Sequence, residues 1–87
     1  MTQTQEQVQQ IIEALTQLSE DTTIPKNVRS KITNAIQVLN EDTELSLKID
    51  KALQFMDDVS NDTNIQPYTR TQIWNIVSLL EATHLLF

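Results

Sequence analysis

Glycine does not occur anywhere in the 87 residues. A chain without it has no residue that takes a positive φ at little cost, which disfavours two-residue hairpin turns, phosphate-cradling loops and dinucleotide fingerprints. Cysteine is absent as well, and with it disulfides, thiolate catalysis and cysteine-ligated zinc or iron–sulfur centres. His84 is the single histidine, so no imidazole cluster is available to hold a metal or pass a proton. Bases are scarce: six Lys and Arg stand against twelve Asp and Glu, a formal charge of −6. Nucleic-acid binders draw most of their non-specific affinity from clustered Lys and Arg, and here the bases are spread and outnumbered, so no direct nucleic-acid contact is expected and a basic partner suits the charge better than an acidic one. No apolar run approaches the ~18 residues a membrane span needs, and Met1-Thr2-Gln3-Thr4-Gln5 lacks the cationic start and apolar stretch of a signal peptide. The expectation is a cytoplasmic protein without membrane contact, folded as one helical domain over 1–87.

What the chain does contain is a repeat. At an offset of 41 residues Asp21 falls on Asp62, Thr22 on Thr63, Ile24 on Ile65, Arg29 on Arg70 and Ile32 on Ile73. Flanking apolar positions agree, with Val8 on Ile49, Leu15 on Met56, Leu18 on Val59 and Leu39 on Leu80. Each unit reads as a helix, an Asp-Thr-x-Ile connection and a second helix, and a period near forty is typical of paired-helix arrays. The fold class expected is all-α: two antiparallel helical hairpins, 4–41 and 45–82, stacked as a compact four-helix bundle.

Apolar spacing places the helices. Thr4 and Gln7 fit a capping box, and Val8, Ile11, Ile12, Leu15 and Leu18 form the inner stripe of a helix over 4–20. Pro25 opens the second, with Val28, Ile32, Ala35, Ile36 and Leu39 inward. Thr43 is placed to cap a third helix over 44–60, which turns Ile49, Ala52, Leu53, Met56 and Val59 to the core and ends at Asn61 as a left-handed cap. A fourth helix runs from Pro67 to about His84 on a stripe of Ile73, Ile76, Val77 and Leu80, with His84 on the same stripe.

Asp21-Thr22-Thr23-Ile24-Pro25-Lys26-Asn27-Val28-Arg29 and Tyr68-Thr69-Arg70-Thr71-Gln72-Ile73-Trp74 resemble the small archaeal uncharacterised protein family numbered 0147. The resemblance spans nearly the whole chain and implies a compact helical bundle in an archaeal cytoplasm. It implies no activity, and no catalytic residue is carried over. The family pattern has Pro at the position of Gln66, in phase with Pro25, whereas this chain has Pro67.

Few constellations suggest chemistry. The repeated pairs Asp21/Arg29 and Asp62/Arg70 read either as a charged site made twice or, as is expected, as candidate structural ion pairs in which each Asp accepts from backbone N–H groups of its connection and its Arg ties the hairpin together. Asp58-x-Ser60-x-Asp62-x-Asn64 begins like a calcium loop but lacks its glycine and its closing Glu, Thr69 standing in that place. Asp57 and Asp58 point about 100° apart on a helix and have no nucleophile beside them. No metal, cofactor or small-molecule substrate is expected, and no enzyme activity. The aromatic residues say more: Phe55, Tyr68, Trp74 and Phe87 all lie in the second repeat, where Trp74 falls on Thr33 and Phe55 on Ala14. Phe55, Trp74, Leu85 and Phe87 are therefore the candidate interface of a protein–protein interaction or self-assembly module, most simply a homodimer. The alternative is an accessory factor that joins nucleic-acid-handling assemblies through their basic proteins.

Overall fold

The computed structural model describes residues 3–84, with side chains from Gln5 onward. Four helices follow one another: α1 (Gln3–Ser19), α2 (Lys26–Leu39), α3 (Leu45–Ser60) and α4 (Pro67–His84). No strand occurs among the described residues. The connections are short, so consecutive helices lie side by side, and α4 closes the ring against α1 while the diagonal pairs are not neighbours. This is the all-helical four-helix bundle expected from the spacing.

The core is a single cluster, and its burial pattern is nearly the same in both halves. Buried residues in α1 and α2 include Val8, Ile11, Leu15, Leu18, Val28, Ile32, Ala35 and Leu39. At the 41-residue offset stand Ile49, Ala52, Met56, Val59, Thr69, Ile73, Ile76 and Leu80, also buried. Ile24 and Ile65, in the connections, are buried too. Each helix meets the core through positions three and four apart, which keeps one stripe inward. Ile12, Ile36, Leu53 and Val77 border that stripe and pack against the core half-buried.

Helix ends correct several expectations. Pro25 does not open α2 but precedes it as the N-cap, in extended conformation (φ −54°, ψ 145°), and its carbonyl accepts from Arg29 N–H at 3.0 Å. Gln66 does the same for α4, its carbonyl accepting from Arg70 N–H at 2.9 Å. Pro67 is thus the first helical residue, where its missing N–H costs nothing. The absent Gln66-site proline leaves the entry to α4 unchanged, because that position needs only extended backbone and a free carbonyl. Glu44, not Thr43, is the N-cap of α3, and it makes no side-chain cap bond. Asn61 is right-handed (φ −85°, ψ −6°), as no described residue has positive φ. Instead of a left-handed cap, the Asn61 and Asp62 N–H groups donate back to the Asp57 and Val59 carbonyls, a tightening that needs no glycine. α1 already includes Thr4, so the residue that caps it lies outside the described residues.

His84 is also displaced from its expected place. It is exposed, and Thr83 is buried in its stead. The Thr83 hydroxyl donates to the Leu79 carbonyl at 2.8 Å and lies 3.2 Å from Gln7 Oε1 on α1. A threonine hydroxyl can be buried when it bonds the carbonyl four residues back.

Candidate interaction surface

The core stripe of α4 is filled by Thr69, Ile73, Ile76, Leu80 and Thr83. Apart from Val77, which borders the core, its other large apolar residues stand outside it. Tyr68 is 75% exposed, Trp74 55% and Leu79 44%. At about 100° per residue Leu79 and Trp74 fall roughly 140° apart, one on each flank of the stripe. The fourth large apolar residue in solvent among those described, Leu47 on α3, also belongs to the second half.

On the α1 side of α4 lies a groove of about 340 Å³ lined by Ala14, Gln17, Leu18, Asp21, Tyr68, Gln72, Asn75, Ile76 and Leu79. Its floor is core, Leu18 and Ile76. Its walls mix half-buried side chains, Ala14, Asp21 and Gln72, with exposed ones, Gln17, Tyr68, Asn75 and Leu79. Neither Leu79 nor Tyr68 is among the candidate interface residues expected from the sequence. The signal that locates both is their spacing to Gln72, since 68, 72, 75, 76 and 79 follow one helical edge.

Of the four candidate interface residues, Trp74 stands in solvent as an anchor would. Phe55 does not join it. It is half-buried, packs on the core and lines a depression on the α2 side of α3 with Val38, Lys51, Gln54 and Asp58. Since α2 is not a neighbour of α4, α3 separates the two rings and they form no single patch. Leu85 and Phe87 lie outside the described residues.

The Asp and Arg of each pair both act on the connection that they flank. Asp21 Oδ1 accepts from Thr23 N–H at 2.9 Å and Thr23 Oγ1–H at 2.6 Å, and Asp62 Oδ1 accepts from Asn64 N–H at 2.8 Å. Both are Asx turns, the aspartate bonding its own backbone two residues on. The arginines go to main-chain carbonyls: Arg29 Nε donates to Ile24 O at 3.1 Å, while the two terminal nitrogens of Arg70 donate to Ser60 O and Asp62 O, each at 2.6 Å. With the carboxylates engaged locally, the carbonyls at the helix end and in the connection are the acceptors still short of donors. The Thr23 hydroxyl, then its N–H, hold the Asp21 carboxyl below its usual range, and Arg29 adds a smaller Coulombic pull.

No group of three or more His, Asp or Glu among the described residues is placed to hold a metal ion. No described helix is long and apolar enough to cross a membrane.

Known proteins agree with this architecture. The chain is 33% identical over 78 residues to a UPF0147 protein of Methanosarcina mazei, covering 88% of this chain and 84% of that one. It is 43% identical over 68 residues to the UPF0147 protein MJ1419 of Methanocaldococcus jannaschii, with 77% and 73% covered. The crystal structure of unknown function protein MMP1188 shares 45% identity and a TM-score of 0.81, with 86% of each chain covered. Residues 1–83 match the uncharacterised protein family UPF0147, and the chain belongs to that family.

Proposed function

We propose that the protein is a cytoplasmic protein–protein interaction module without catalysis, acting through the Trp74 flank of α4, with a symmetric homodimer as its simplest assembly. The observation that carries this reading is Trp74 itself, a tryptophan 55% exposed on a helix whose core stripe is already complete. Large aromatic residues are enriched at the centres of interfaces and dominate their energetics. Closed two-fold dimers are the commonest assemblies, and a contact centred on an apolar ring avoids the repulsion that the acidic surface imposes on a second copy.

Light scattering over a dilution series tests it, followed in parallel by tryptophan emission. The expected result is a dimer that dissociates on dilution with a red shift of the emission. Trp74→Ala should weaken association by at least about thirtyfold, about 2 kcal/mol, with helical content unchanged. A monomer at every concentration, with an emission that never moves, overturns the homodimer.

A further inference from the structure

The bundle has two seams that correspond at the 41-residue offset, and they are built differently. On α2 and α3 the core positions Ala35 and Ala52 are both fully buried, and this helix pair packs the most extensively of the four neighbours. Two alanines let the helices approach closely. On α4 and α1 the same positions are the bulkier Ile76 and Ile11, and this helix pair packs the least extensively of the four neighbours. That second seam also lacks its knob. Phe55, which packs on the core beside Val38, has Ala14 as its counterpart, and Val38 has Leu79. Val38 is 8% exposed and Leu79 44%, so the residue that Phe55 helps cover at one seam stands open at the other. The groove that reaches Leu18 and Ile76 is what remains when that ring is missing.

Charge says what fits there. Residues 1–25 hold Glu6, Glu13, Glu20 and Asp21 and no Lys or Arg. Glu6, Glu13 and Glu20 recur every seven residues and are all exposed, forming a ridge along α1 next to the groove-side residues Gln10 and Gln17. Asp21 closes the groove at one end. Both of its bonds are accepted by Oδ1, and Oδ2 accepts none among the described residues. The clustered bases, Lys26, Arg29 and Lys31, lie on α2, which is not a neighbour of α4. A second copy docked symmetrically in this groove would set acid ridge against acid ridge. A small molecule finds no buried polar group without a partner to orient it among the described residues.

We infer that the α1–α4 groove docks a basic amphipathic helix of another protein, whose aromatic or large aliphatic side chain enters between Ala14 and Leu79 while its Lys and Arg face the glutamate ridge. This is the helix-in-groove mode, in which apolar anchors supply affinity and charge supplies register and rate. The groove lies on the flank of α4 opposite Trp74, so it stands apart from any contact made there.

Three synthetic helical peptides test it by amide NMR titration of the full chain: one with a lysine face and a Leu/Phe face, its glutamate counterpart, and a lysine-rich peptide without the apolar face. The first should bind, shift amides concentrated at Ala14, Leu18, Gln72, Asn75 and Leu79, and weaken several-fold with added salt as exposed charges are screened. Ala14→Phe supplies the missing ring from within and should weaken that peptide at least about tenfold. Leu79→Lys, at an exposed position that folding does not need, should do the same. Equal binding of the glutamate peptide, equal binding of the lysine peptide lacking an apolar face, shifts centred on the acidic 40–44 connection, or unchanged affinity in Leu79→Lys each overturn the inference. The same shifts appearing on raising protein concentration without peptide would make the occupant a second copy and overturn it equally.

Discussion

The two hairpins share nearly all their core positions and differ in what they show to solvent. Ile24, Val28, Ile32 and Leu39 match Ile65, Thr69, Ile73 and Leu80 inside, yet the large apolar residues exposed among the described ones, Leu47, Tyr68, Trp74 and Leu79, all belong to the second half. Their counterparts in the first are Glu6, Asn27, Thr33 and the buried Val38. An interior constrained by packing leaves little room for the two halves to diverge, so the difference between them collects on the outside and at the seams.

The comparison can be broken first in the core. Ile32→Ala and Ile73→Ala remove the same atoms from equivalent, fully buried sites, and each should cost about 2–5 kcal/mol in denaturant unfolding. Leu53→Ala, at a half-buried site, should cost less than either. A loss below about 1 kcal/mol at one isoleucine and not at the other would show that the halves are not packed alike.

The seams offer the next test. Ala52→Ile places at the α2–α3 seam the residue that α1 carries at Ile11. There the helices have no room for it, and overpacking should cost about 1–3 kcal/mol by the same measurement. A neutral or stabilising result would mean that the α2–α3 seam is not the tighter of the two.

The smallest effect concerns the connections. Thr23→Val keeps the backbone N–H bond to Asp21 and removes the hydroxyl, the larger cause of the lowered carboxyl pKa. The Asp21 titration followed by NMR should move upward toward the usual carboxylate range. A depressed folded pKa contributes stability that is present above the unfolded value and lost as pH falls through the folded one. The variant should therefore lose a little stability near neutral pH and nothing in strong acid, where both chains hold a protonated Asp21. An unmoved titration would assign the depression to the backbone bond alone.

Much of this architecture was legible in the residues. The offset of 41 and the apolar spacing gave four helices and most of the core, since period and burial are tied by helix geometry. Legibility failed where the outcome depends on which of two neighbouring residues captures a bond. Thr43 reads as a better cap than Glu44, and Asn61 reads as a left-handed terminator. In each case local backbone bonds settle the matter at a scale that spacing does not resolve. The α1–α4 groove was out of reach for another reason. It arises from Ala14, Ile11 and Ile76 acting together, and the packing of a seam is a property of two helices, not of either one.

The bond between Thr83 and Gln7 joins residues 76 positions apart and sets the last turn of α4 against the first turns of α1. A circular permutant follows from it. With a short linker joining the two ends and new termini cut in the exposed 40–44 connection, the chain would run α3, α4, α1, α2 and make the same four neighbours. The less extensively packed seam would then be crossed by a covalent link and the tight one left to side chains alone. Whether such a chain folds as fast as the natural one is a direct reading of which hairpin boundary the folding route passes through first.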